Sequence, residues 1–219
     1  MSLNDNSFAT NSKIYPAKNK TTMIADPAFK VVLLGNTGVG KSSLLHRLRY
    51  DRFIGRSDPT LGCEFASYSD SGTAKLLIWD TAGQTSFRSF IPNFIKGAKA
   101  CVVCYDLTTP LADACLDEWM ALVREHCDND VVVALAGTKL DACETRDEAG
   151  IEQFTRRERI HISTATSSRT GDGVKGLFRR IATTLAFVPS QSTPGIPSTV
   201  CITSRTDATR ARAPSSCDC

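Results

Sequence analysis

The sequence predicts an α/β domain in which a six-stranded, mostly parallel sheet carries helices on both faces. Three observations predict it. Short continuous apolar runs alternate with segments of helical period, as parallel strands covered on both sides require. One run leads through a glycine-rich loop directly into a helix start. The apolar pattern fades at both ends, leaving residues 28–188 to form the core.

Taken in order, residues 1–27 are rich in Asn, Ser, Thr and Lys, a composition that predicts a disordered extension. Strand-like runs follow at Lys30–Leu34, Cys63–Ser69, Ala74–Trp79, Ala100–Tyr105, Val131–Ala136 and Ile160–Thr164. Asp70-Ser-Gly72 joins two of them as a hairpin turn, so one strand should be antiparallel. Ser43–Leu48 reads as an amphipathic helix start. Pro110 should open a second helix, with Leu111, Cys115, Trp119, Leu122 and Val123 as its stripe. A third carries Val174, Leu177, Phe178, Ile181 and Leu185 on one face. From Pro189 to Cys219, Pro, Ser, Thr and Arg dominate, which predicts a flexible tail.

A chain of 219 residues can bury one sizeable core. A net charge of +3 with no long basic run argues against a nucleic-acid partner. No stretch approaches the roughly 18 apolar residues of a membrane span, and no signal-peptide core or N-myristoylation glycine is present, since residue 2 is Ser2. Synthesis in the cytosol is expected, so the nine cysteines should be reduced. Cys101-Val-Val-Cys104 has the spacing of a redox or zinc motif, but in a strand that spacing puts the thiols on opposite faces, which favours core packing.

The loop Gly35-Asn-Thr-Gly-Val-Gly-Lys41-Ser42 has the pattern Gly-x4-Gly-Lys-Ser between a strand and a helix. Its glycines let backbone N–H groups turn inward, the helix N-terminus adds partial positive charge, Lys41 adds a full charge, and the Ser42 hydroxyl suits a magnesium ion. That is a phosphate cradle. It does not by itself separate ATP from GTP. Downstream, Trp79-Asp80-Thr-Ala-Gly83-Gln84 follows a strand. Asp80 can hold Mg²⁺ through water, and Gly83 can offer its N–H to a terminal phosphate. Gly137-Thr138-Lys139-Leu140-Asp141 follows another strand. A carboxylate at Asp141 can accept from both the guanine N1–H and the exocyclic amine, a donor pair adenine lacks. Capping of a following helix is the plainer role for Asp141, and solvated surface the plainer role for Gln84. Thr166-Ser-Ser-Arg169 supplies a further loop.

Together these motifs resemble the Ras superfamily of small GTPases over residues 28–188. Within it, Leu61-Gly-Cys-Glu-Phe65, Trp79 and the terminal Cys217-Asp-Cys219 resemble the Rab family. Phe90–Ile95 and Leu177–Arg180 are most similar to its Golgi-associated subgroup. The resemblance implies a P-loop NTPase fold of the Ras-like G-domain type, a GTP/GDP switch that regulates vesicle trafficking, and slow hydrolysis accelerated by an activating protein. It implies that Thr37, Gly38, Val39, Gly40, Lys41, Ser42 and Ser43 hold the phosphates. Ser42 and Thr60 would coordinate Mg²⁺, with Asp80 behind them. Phe53 would lie against the guanine, Lys139 would pack on it, and Thr138 would belong to the same motif. Asp141 would read the base, and Ser167 and Ser168 would contact it through their backbone. Gly83 would meet the γ-phosphate and Gln84 would orient the attacking water. Cys217 and Cys219 would each carry a geranylgeranyl group, because two lipids hold a protein on a membrane where one is marginal. Chance pairing of two terminal cysteines, or a metal-binding role, is the alternative.

The resemblance also implies effectors, an exchange factor, a prenylation escort and a GDP-dissociation inhibitor, a monomeric state, and residence on the cytoplasmic face of an endomembrane with a cytosolic pool. Three departures stand out. Thr138 replaces the usual Asn, Thr37 adds a methyl near Gln84, and Thr85-Ser86 replaces Glu-Arg. The last two motivate a rival reading, a nucleotide-gated binding module with little hydrolysis.

Overall fold

A computed structural model describes residues 27–55, 60, 62–70 and 73–187. The expected extension, tail and lipidation cysteines Cys217 and Cys219 lie outside the described residues, as do Ser71 and Gly72 of the expected turn. Six strands form one sheet: β1 (Ala28–Leu34), β2 (Cys63–Tyr68), β3 (Lys75–Thr81), β4 (Ala100–Asp106), β5 (Val132–Thr138) and β6 (Ile162–Ala165). Their order is β2-β3-β1-β4-β5-β6. β2 runs antiparallel to β3 with Cys63 opposite Thr81, and every other pairing is parallel. The ladder extends to the Ala82 N–H, which donates to Gly62 O at 3.0 Å.

Alternation along each strand divides the core in two. Val31, Leu33, Val102, Cys104, Ala134 and Ala136 face α1 (Lys41–Tyr50) and α5 (Val174–Phe187). Val32, Leu34, Cys101, Val103, Tyr105, Val133 and Leu135 face α2 (Ile91–Ile95), α3 (Leu116–His126) and α4 (Glu148–Glu158). The expected stripe of α5 is buried in full, with Val174, Leu177, Phe178 and Ile181 at 0% exposure and Leu185 at 2%. Each such side chain contributes about 1.5–3 kcal/mol of transfer free energy, which outweighs the propensity cost of Thr183 and Thr184 in that helix. Cys101 and Cys104 lie in opposite core layers, as their spacing requires. The Cys101 sulfur instead meets that of Cys127 at 3.6 Å.

One helix differs from expectation. Pro110 precedes a short 3₁₀ turn at Leu111–Ala114, and Cys115 then takes a left-handed conformation (φ 52°) before α3 begins at Leu116. The stripe from Leu111 to Val123 is thus split between two elements. Burying Leu116, Trp119, Met120 and Val123 sets the register of α3, and the chain bends at Cys115 to allow it.

Candidate functional site

The sheet order reverses on either side of β1, which opens a crevice at the carboxyl ends of the strands. The loops after β1, β3, β4, β5 and β6 all meet there. Two adjoining clefts result. The smaller, 160 Å³, is lined by Thr37, Gly38, Gly40, Lys41, Ser42, Ser43, Thr60, Thr81, Gly83 and Gln84. The larger, 620 Å³, shares Gly38, Gly40 and Ser43 with it and adds Phe53, Thr138, Lys139, Asp141, Ser168 and Arg169.

In the smaller cleft, Gly35, Gly38 and Gly40 have φ of 138°, 77° and 99°, conformations that only glycine adopts without strain. A Cβ at Gly35 would stand 2.3 Å from Cys104 O, so the loop closes on β4 only with glycine there. Lys41 is 6% exposed, and its Nζ donates to Gly35 O (2.8 Å) and Asn36 O (2.9 Å), adjacent carbonyls at the start of the loop it fills. Burial lowers its pKa. Gly83 approaches this loop so closely that a Cβ would lie 2.5 Å from Lys41 Nζ and 2.6 Å from Thr37 N.

Beside Lys41, Ser42 Oγ donates to Asp80 Oδ2 at 2.5 Å and lies 2.7 Å from Thr60 Oγ1. Asp80 is fully buried, and its Oδ1 has no hydrogen-bond partner. Burial pushes its carboxyl up to about 6, against the opposing pull of Ser42 and Lys41. A hard cation requires oxygen donors and favours an ionised carboxylate. Two hydroxyls and an under-satisfied buried carboxylate therefore fit Mg²⁺.

Around the larger cleft, Lys139 has φ 58° and pairs through Nζ with Asp106 at 2.5 Å, which holds its stem across the cleft wall. Asp106 escaped the sequence reasoning. Asp141 accepts from Ser167 Oγ at 2.6 Å, and Ser167 Oγ in turn accepts from Thr170 N–H at 3.1 Å. Ser167 therefore acts on Asp141 through its side chain, a role beyond the backbone contact expected of it. Asp141 stays 19% exposed on its side chain and open to the cleft. Thr138 Oγ1 lies 2.5 Å from Val39 O and 2.9 Å from Tyr105 O, a bridge between phosphate loop and β4. Val39 itself is buried and braces the loop from behind. Phe53 is exposed at the cleft rim.

A second network reaches the loop from α3. Asn36 Oδ1 accepts from Trp119 Nε1 (3.0 Å) and Arg88 Nη2 (3.3 Å), and Arg88 pairs with Glu118 while its guanidinium lies 5.1 Å from the centre of the Trp119 ring. The segment after Gln84 is thereby anchored to the phosphate loop. Nothing in the local sequence marks Asn36 or Arg88, which are 52 positions apart. His161 Nδ1 accepts from Val133 N–H at 3.1 Å, a structural contact between β5 and the turn before β6.

A sequence model of the Ras family matches residues 30–187, from within β1 to the last residue of α5. That span contains every loop of both clefts, and the sheet of five parallel strands and one antiparallel strand is that of a Ras-like P-loop G domain. The protein therefore belongs to the Ras family of small GTPases.

Proposed function

We propose that this chain is a Rab-type GTPase: a GTP/GDP switch that controls a vesicle-trafficking step on an endomembrane of the Golgi or a related compartment. Ras-family proteins bind GTP and GDP with Mg²⁺ and work through effectors, exchange factors and activating proteins. The observation that carries the nucleotide assignment is the convergence of Lys41, the Ser42–Thr60–Asp80 cluster and the Asp141–Ser167 pair on one crevice. The main-chain N–H groups of Thr37–Ser43 and Lys41 would hold the phosphates, and Asp141 would accept from the guanine edge. Phe53 and Lys139 would flank the base, Thr138 would brace the phosphate loop beneath it, and Ser168 would line its wall. Ser42, Thr60 and Asp80 would hold Mg²⁺, which neutralises phosphate charge when bound. Gln84 would orient water for in-line attack, and Gly83 would bring its N–H to the terminal phosphate.

The Rab assignment is supported by a row of aromatics beside the switch segments. Phe65 on β2 is 48% exposed and meets Trp79 edge-on (5.3 Å between centres), and Trp79 lies 6.5 Å from Phe94. Such a row, running from the edge strand β2 across β3 to α2, is a natural surface for an effector. Cys217 and Cys219 would carry the two lipids, 189–219 would be the tether, 1–27 a disordered extension, and a GDP-dissociation inhibitor and prenylation escort would manage the anchored chain.

Displacement of fluorescent GDP tests the core of this reading. Excess GTP should compete and ATP should not; equal displacement by ATP refutes it. The rival, a binding module with little hydrolysis, draws on Thr37, which lines the same cleft as Gln84. A single-turnover assay at saturating Mg²⁺ separates the two, since GTP unchanged after hours favours the module. Imaging the tagged chain beside Cys217→Ser/Cys219→Ser tests the anchor; membrane localisation unaltered by that change removes it.

A further inference from the structure

We propose that Arg47, in the last turn of α1, is a positioning residue for base recognition: it orients Asp141 through a chain of hydrogen bonds. The proposal rests on the reading that Asp141 accepts from guanine. Arg47 lies on the helix that begins at Lys41, yet its side chain turns away from the phosphate loop and toward the loop after β6. That side chain is only 12% exposed. Its Nε donates to Ser168 O at 2.6 Å and its Nη2 to Arg169 O at 2.5 Å, 121 and 122 positions away. Its Nη1 donates to Asp51 O at 2.8 Å. Three nitrogens of one planar group thus meet three carbonyls.

The geometry of the peptide unit carries the effect onward. In a trans peptide the C=O and the following N–H point in opposite directions. With the Arg169 carbonyl held by Arg47, the Thr170 N–H must point away from α1, and it donates to Ser167 Oγ at 3.1 Å. A hydroxyl that accepts along one direction has its proton free for another, and Ser167 Oγ donates to Asp141 Oδ1 at 2.6 Å. The chain therefore runs from the Arg47 guanidinium through the 169–170 peptide and the Ser167 hydroxyl to the carboxylate. Ser167 is fully buried, so no solvent competes within it. Ser168 and Arg169, whose carbonyls Arg47 withdraws, line the same cleft as Asp141.

The competing role for Arg47 is purely structural, as a closure for the end of α1, where Asp51 has φ 53° and its N–H bonds back to Arg47 O. The two roles differ in what they do to base discrimination. GDP presents the N1–H and the 2-amino group, whereas inosine diphosphate presents only N1–H. A well-aimed carboxylate therefore prefers GDP, and one hydrogen bond to a charged acceptor corresponds to about 10- to 100-fold. Misaiming the carboxylate shrinks that preference. General destabilisation weakens both ligands alike and leaves the ratio unchanged.

The test measures Kd for GDP and inosine diphosphate on the full chain, with Arg47→Met, Arg47→Lys, Ser167→Ala and Asp141→Asn. Arg47→Met should lower the GDP preference about fivefold to tenfold, and Arg47→Lys, which restores one donor group, should recover part of it. Ser167→Ala breaks the chain at a buried hydroxyl without touching α1 and should lower the ratio similarly, so a failure of Arg47→Met to fold leaves the proposal exposed to refutation. Adding Arg47→Met to Asp141→Asn should bring no further loss of preference. If Asp141→Asn abolishes the preference while Arg47→Met and Ser167→Ala leave it intact, the orienting chain is wrong and the base-reading assignment stands. If Asp141→Asn leaves the preference intact, both are wrong.

Discussion

Replacing Gly83 with alanine isolates the contact between the loop after β3 and the phosphate loop. A Cβ there would lie 2.5 Å from Lys41 Nζ, 2.6 Å from Asn36 C and 2.6 Å from Thr37 N. Carbon contacts settle near 3.5–4.0 Å, so the loop must retreat by about 1 Å. Lys41 cannot yield, because its ammonium is held by two carbonyls, and the other two atoms are backbone of a loop braced by buried Val39. Overpacking of this kind costs about 1–3 kcal/mol. The cost falls only on states in which Gly83 rests against the loop. A terminal phosphate held by both Lys41 and the Gly83 N–H requires that state, and a diphosphate does not. Affinity for a non-hydrolysable GTP analogue should therefore fall about 5- to 150-fold, while GDP affinity stays within about twofold. Stopped-flow dissociation of fluorescent analogues measures both. Equal weakening of the two nucleotides would refute the reasoning, since it would place the clash in the shared diphosphate site.

Further outcomes follow from single contacts. Thr138 has one hydroxyl proton for two nearby carbonyls, so Thr138→Val should cost about 1–3 kcal/mol in thermal stability and speed GDP release. Thr138→Asn, with two N–H donors, should slow release, as read by fluorescent-GDP dissociation. The rise of the Asp80 carboxyl from 3.8 to about 6 is a raised folded-state pKa, so its contribution to stability is complete below pH 3.8 and lost as pH climbs through 6. In metal- and nucleotide-free protein the loss should be about 3 kcal/mol by urea unfolding, and Asp80→Asn should abolish it. Arg88→Ala releases the contacts to Asn36 and Glu118. It should raise hydrogen exchange over residues 82–90 and slow single-turnover hydrolysis, with GDP affinity within about twofold.

Much of this architecture was legible because parallel strands covered on both faces must be continuously apolar. Each of the six runs became a strand with ends displaced by two residues or fewer. α4 carried little signal, since Phe154 is its only buried residue and the helix rests on the Asp147 cap, whose side chain accepts from Gly150 N–H. The bend at Cys115 was hidden for a different reason. A left-handed cysteine has no local signature, and tertiary burial of Trp119 and Val123 decides it. In the site, the glycine loop and the residues after each strand announced themselves because phosphate and base chemistry restrict residue type at fixed spacing. Asp106, Asn36, Arg88 and Arg47 did not. They act through partners from 30 to 122 positions away, and no pattern within a window can encode such a meeting.

The bond between Ala82 and Gly62 has a mechanical consequence. Thr60 leads toward β2 and Gly83 leaves β3 beyond the same end of the ladder, so the two segments that would sense the terminal phosphate flank one rung. Neither can swing out without loading the other. A partner gripping either flank would therefore pull on the other through that rung, a coupling on the order of one backbone hydrogen bond, about 1 kcal/mol.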